Sequence, residues 1–129
     1  MIRIQHRKHE DPEFDRLRRF TYRVDGFVAL HAGPAGGEMV TRPVRFQGNS
    51  LEVNFRTSGQ GTLRIELQDA AGQAIEGFQL ENCPAIRGDS ISHTVKWTGE
   101  TNLGNLAGAP VRLRFALQDA DVFSFRFAP

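Results

Sequence analysis

Apolar side chains fall at alternate positions along most of this chain. Val111, Leu113, Phe115 and Leu117 alternate with Arg112, Arg114, Ala116 and Gln118, and Phe123, Phe125 and Phe127 resume the alternation beyond Asp119-Ala120-Asp121. A period of two belongs to a strand with one face on a core. The stretch therefore predicts a closing β-hairpin, its turn formed by the two aspartates and its three phenylalanines on the core wall. Leu51, Val53 and Phe55 predict a strand over Ser50 to Thr57, and Leu63, Ile65 and Leu67 predict another that feeds a turn around Asp69 to Gln73. Upstream, Phe20, Tyr22 and Val24 share a face, Asp25-Gly26 marks a turn or bulge, and Phe27 to Leu30 begins a second short run. Glu38 to Gln47 reads as a strand broken by Pro43, which suits a sheet edge or a crossing between sheets. His93 to Trp97 returns to strand. The pattern lapses from Gln79 to Ser92, read as a loop, and from Thr98 to Pro110, where Leu103 and Leu106 are spaced to anchor a helical turn.

About eight short strands separated by turn signals, with no long helix, predict an all-β fold: a two-sheet antiparallel β-sandwich, jelly-roll-like, over residues 20–129. Residues 1–19 form a polar N-terminal arm in which Asp11, Pro12 and Glu13 supply a helix-start signal ahead of Phe14 and Leu17, so that a short helix is the alternative to an open arm. LRIELQDA from Leu63 echoes LRFALQDA from Leu113 at six of eight positions, but the flanking sequence does not follow. The echo is read as two similar strand ends feeding similar turns, not as a repeat architecture.

Composition narrows the function classes. A chain of 129 residues fits one domain that needs no disulfide or metal to fold, and the single cysteine, Cys83, has no intramolecular partner. Sixteen basic against fifteen acidic side chains leave a net charge of +1, with the excess of base confined to the first 23 residues, which argues against nucleic acid as a partner. No apolar run reaches membrane-spanning length, and the start lacks the apolar segment of a signal peptide.

Candidate chemistry is sparse. Gly88-Asp89-Ser90-Ile91 copies the nucleophile block of the Gly-Asp-Ser-Leu esterases, with His93 three residues after Ser90, but that chemistry needs a strand-to-helix turn and a further acid. Asp119 and Asp121, with Asp69 in the matching turn, are the weak metal candidates; turn-capping by these side chains is the favoured alternative. His6 and His9, beside Glu10 and Asp11, lack a third ligand motif. Trp97 and Tyr22 are the aromatics best suited to stack on a sugar ring, with His93 as a polar neighbour, although a core position is the favoured reading of Trp97 because large aromatics are mostly buried. Glu52, Glu66 and Glu76 fall on outward strand faces, where solvated charge is the expected content. No cofactor motif is present.

Asp25-Gly26-Phe27-Val28, Thr41-Arg42-Pro43, Gly77-Phe78, Gly88-Asp89-Ser90-Ile91, Lys96-Trp97, Leu113-Arg114-Phe115 and Asp119-Ala120-Asp121 are shared landmarks with a known group. From about Tyr22 to Phe127 the chain resembles the C-terminal β-sandwich of bacterial glycoside hydrolase-like proteins, whose N-terminal five-bladed propeller is akin to glycoside hydrolase families 32 and 43. In such enzymes the propeller carries the catalytic acids, so the resemblance implies a non-catalytic accessory module, not an enzyme. Its partner would be a catalytic propeller domain or a second copy of the chain. The chain is then either a piece of a larger hydrolase or a stand-alone copy of the accessory domain. The alternatives are a carbohydrate-binding module using Trp97 and a stand-alone hydrolase around Ser90.

Overall fold

The computed structural model of the chain describes residues 2–6, 21–22, 28–99 and 102–129, with the backbone course alone for 2–6, 21–22, 28 and 29. Seven described strands form one sheet: β1 (Ile2–His6), β2 (Thr21–Tyr22), β3 (Val28–Ala32), β4 (Gly37–Thr41), β5 (Ser50–Asp69), β6 (Asp89–Thr94) and β7 (Val111–Ala128). The fold is all-β, as the alternation predicts. β1 lies within the stretch read as a polar arm and pairs antiparallel with β3. The helix signal at Asp11 and the ligand candidate His9 lie outside the described residues.

Two long strands organise everything else. β5 and β7 run antiparallel from Ser50 opposite Ala128 to Asp69 opposite Val111. Along the other edge of β7, β3 and β4 lie in tandem, Leu30–Ala32 against 120–122 and Gly37–Val40 against 114–117. β2 pairs parallel with β4, and β6 takes the far edge of β5. β4 stops at Thr41 just ahead of Pro43, which has no N–H for the ladder, and Val44 rejoins through a bridge to Val111.

The closing hairpin expected at Val111 to Phe127 is not formed, nor are the two separate strands expected at Ser50 to Thr57 and from Thr62. Each is one continuous strand. The residues taken for a turn form a bulge. Asp119 adopts φ 47° without reversing the chain, and Ser58 to Gly61 of β5 lie between the Thr57–Ala120 and Thr62–Gln118 pairs. On the opposite side the Gly33–Gly36 loop is inserted between β3 and β4, and Gly33 O accepts hydrogen bonds from Asp119 N and Gly36 N, both at 3.0 Å. Three irregularities, in β5, in β7 and between β3 and β4, are thus aligned side by side, and bulges bend the strands that carry them.

The size of the bend follows from two rings. Phe115 and Phe125 are ten residues apart on β7, about 33 Å in a straight strand at about 3.3 Å per residue. Their ring centroids are 5.4 Å apart. The antiparallel sheet therefore curls over, and side chains from both halves of β5 (Leu51, Val53, Phe55 and Leu63, Ile65, Leu67) enter a single core with Val111, Leu113, Phe115, Leu117 and Val122.

A second bulge corrects the wall of three phenylalanines. Asn54 pairs with Ser124 and Phe55 with Val122, which leaves Phe123 as the extra residue. Phe125 and Phe127 pack against the core, whereas Phe123 is half-buried under the guanidinium of Arg56, 5.6 Å from its ring centroid.

The segment after β5 also differs from expectation. Leu80–Asn82 form a 3₁₀ turn inside the predicted loop, and the strand expected at His93 to Trp97 instead spans Asp89–Thr94. Val95 and Trp97 follow that strand into the core, with Val95 N donating to Leu51 O at 2.8 Å. The helical turn expected at Leu103 and Leu106 is present, with Leu103 buried. Cys83 is buried, its Sγ 3.5 Å from Ile65 N, and burial pushes its thiol pKa up, away from the thiolate that reaction would need.

Candidate functional site

The pleat that sends Leu63, Ile65 and Leu67 inward sends Thr62, Arg64 and Glu66 outward, and the facing strand does the same with Arg114, Ala116 and Gln118. Register sets Glu66 opposite Arg114, Arg64 opposite Ala116 and Thr62 opposite Gln118, while Glu38 of β4 flanks Ala116 from the other side. A methyl group among long polar side chains leaves a hollow. The result is a groove of about 630 Å³ over Ala116, walled by Ala35 to Gly37 on one side and Leu80 on the other.

Arg114 holds this face together. Its Nε and Nη2 donate to Glu38 Oε1 and Oε2 at 2.9 and 2.8 Å, a bidentate fork, and its Nη1 donates to Glu66 Oε2 at 3.2 Å. Glu66 also accepts from Gln68 Nε2 at 2.9 Å and Leu80 N at 3.1 Å. Burial alone would raise the Glu66 pKa, but the Gln68 amide, the Leu80 N–H and the Arg114 guanidinium outweigh it and hold the carboxyl below its ordinary value. The same contacts raise the Arg114 pKa, the hydrogen bond to Glu38 most of all, against the opposing effect of burial. Gln118 Nε2 donates to Pro34 O at 2.9 Å, which ties the wall loop to the floor strand.

Sequence reasoning passed over this cluster. It placed Glu66 correctly on the outward face but took it for solvated charge, whereas the residue is 5% exposed under the Leu80 turn. Arg114 and Glu38 are 76 residues apart and show no local spacing signal. The only legible hint was an arginine repeatedly interleaved among core residues, and register was needed to give it a partner.

The described side chains among those singled out from sequence are not gathered into one site. Trp97 is 8% exposed, donates from Nε1 to Ile65 O at 2.9 Å and meets the Phe78 ring edge-on at 5.1 Å. It packs as a core residue with its one polar atom spent, and the small exposed part of it lines a hollow of about 320 Å³ beside Lys96 and Leu103. His93 is half-buried with its ring against Phe55 at 5.5 Å. Ser90 sits in β6 opposite Phe55, not on a strand-to-helix turn, and no hydrogen bond joins it to His93 among the described residues. Tyr22 lies in β2, and its side chain is outside the described residues.

The aspartates divide. Asp69 caps its own turn, its Oδ1 accepting from Ala71 N at 2.9 Å and Gln73 N at 3.0 Å. Asp119 occupies the bulge, and Asp121 lies between two side chains: its Oδ1 is 2.5 Å from His31 Nδ1 and its Oδ2 accepts from Arg56 Nη2 at 3.2 Å. No group of three or more His, Cys, Asp and Glu suited to a metal ion occurs among the described residues. Glu52, the remaining outward acid of β5, pairs with Arg126 at 3.0 Å.

Apolar surface is equally sparse. Ile91, 81% exposed, is the one large hydrophobic residue so exposed among the described residues, a single side chain and not a patch. No family model, no curated protein and no solved structure matches the chain.

Proposed function

We propose that this chain is a non-catalytic accessory module of a glycoside hydrolase-like protein, its curled sheet forming the two layers of a jelly-roll-like β-sandwich, and that it holds saccharide in the groove over Ala116. The observation that carries this reading is the Arg114 guanidinium clamped between Glu38 and Glu66 at the floor of a groove of about 630 Å³. A volume of that order suits a small-molecule ligand. Polar groups already fixed by their own hydrogen bonds lose little freedom when a ligand arrives. The pair of carboxylates is poorly disposed for glycoside cleavage, since both bind one guanidinium and Glu66 is held ionised where a general acid must carry a proton.

Titration calorimetry of the domain against a panel of oligosaccharides tests the reading, with Arg64→Ala as the variant, because Arg64 lines the groove without an ion pair among the described residues. Loss of a hydrogen bond to a charged group is worth about 1.5–3 kcal/mol, so the variant is expected to bind at least about tenfold more weakly with an unchanged melting temperature. No heat of binding across the panel, or equal binding by the variant, would overturn the proposal.

A further inference from the structure

We propose that Arg87-Gly88-Asp89 is a protein-docking tripeptide, fitted to a receptor surface that takes the Asp89 carboxylate on a bound divalent cation and the Arg87 guanidinium on a carboxylate of its own. It lies outside the groove's described lining and does not rest on the saccharide reading. Three observations carry it.

The first is open charge of both signs. Arg87, Gly88 and Asp89 are all exposed where the chain enters β6, and among the described residues β6 pairs with β5 and with no other strand. Arg87 and Asp89 stand two residues apart, so their Cα atoms lie within about 7 Å of each other. Neither side chain is engaged in an ion pair or hydrogen bond, with the other or with any described residue. Arg56, opposite Asp89 in register, is committed elsewhere: its Nη2 donates to Asp121 Oδ2 at 3.2 Å and its guanidinium lies over the Phe123 ring.

The second is a backbone held on both sides. Ile86, buried, donates from its N to Leu63 O at 2.9 Å and accepts at its O from Leu63 N at 3.0 Å. Gly88 N donates to Thr57 Oγ1 at 2.9 Å, and Gly88 O accepts from Thr57 N at 2.8 Å. Asp89 and Ser90 then enter the ladder opposite Arg56 and Phe55. A segment fixed in this way loses little freedom when a partner seats on it.

The third is the glycine. Gly88 has φ 121°, which side chains rarely adopt, and a Cβ there would meet nothing within 4 Å. Conformation, not packing, therefore calls for glycine between the two charges, and the space above it is open to a partner.

The partner follows from the chemistry. Hard divalent cations take carboxylate oxygens, and a guanidinium meets a carboxylate through two parallel N–H···O bonds. A single carboxylate is too few to hold the ion alone, and no group of three or more His, Cys, Asp and Glu suited to one occurs among the described residues, so the ion belongs to the receptor. A polyanion would attract Arg87 and repel Asp89, whereas a surface bearing both a cation and a carboxylate engages the pair.

The test passes the whole chain over an immobilised integrin ectodomain, a receptor whose ligand pocket holds such a cation, in magnesium buffer. Saturable binding is expected, abolished by EDTA and displaced by a linear Arg-Gly-Asp peptide. Arg87→Ala and Asp89→Glu, which keeps the charge but lengthens the side chain, are each expected to bind at least about tenfold more weakly, since each removes or displaces a charged contact. Both residues are exposed, so the melting temperature should stay the same. No binding, or binding that survives EDTA or Asp89→Glu, would overturn the proposal. Heparin binding in place of receptor binding, lost in Arg87→Ala and kept in Asp89→Glu, would overturn it in favour of a polyanion.

Discussion

At the residue scale the most consequential group is Glu66, an ionised carboxylate in a buried setting. Its folded pKa lies below the ordinary value of 4.5, so the unfolded chain binds the proton more readily than the native one. Stability from this group is therefore complete above pH 4.5 and is lost as pH falls from there through the lower, folded pKa. Urea unfolding between pH 6 and pH 3 should show this loss, with Glu66→Gln flattening its dependence on pH. A variant that keeps the full acid dependence would assign it to other carboxylates. Removing the opposite partner should be worse. Arg114→Leu leaves Glu66 buried without its guanidinium, and breaking a buried pair on one side costs about 3–5 kcal/mol, measurable as a fall in the denaturation midpoint.

At the element scale the informative feature is the line of irregularities through Asp119, and it shows why the fold was only partly legible. The alternation in Val111 to Phe127 identified the correct core residues at both ends of β7. It could not distinguish a turn from two bulges. The insertions at Asp119 and Phe123 each shift the phase by one, and the two shifts cancel, so Phe125 and Phe127 return to the odd positions that Val111 to Leu117 occupy. Between the two insertions Ala120 and Val122, buried at even positions, betray the change. Gly61 is where this arrangement is least forgiving, since its Cα lies so close to the carbonyl oxygens of Gln118 and Asp119 that a Cβ would collide with backbone. Gly59, two residues away in open space, has φ 53° and faces only the conformational penalty. Gly61→Ala is thus expected to lower the unfolding free energy by more than about 2 kcal/mol, and Gly59→Ala by about 1 kcal/mol. Equal effects would mean that the sheet can shift to relieve the contact.

At the scale of the whole molecule the question is which surface acts. The sequence suggested Trp97 because large amphipathic aromatics suit sugars, but residue type alone cannot report that a strand ends at Thr94 and carries the next residues inward. The groove was hidden for the converse reason: its parts are ordinary strand residues that acquire meaning only when β4, β7 and β5 lie side by side. Ile91 is the remaining contender, as the mark of a docking face. Its exposure has a local cause, since β6 places two residues, Ile91 and Ser92, where β5 has only Asn54 between the Val53–His93 and Phe55–Ser90 pairs. A bulge on an edge strand also works against pairing with another chain. If Ile91 is only the product of that bulge, Ile91→Asp should leave both the unfolding midpoint and the sedimentation coefficient at micromolar concentration unchanged. A wild-type chain that sediments as a dimer, converted to monomer by Ile91→Asp, would instead make β6 an interface and transfer the weight of the functional argument from the groove to that edge.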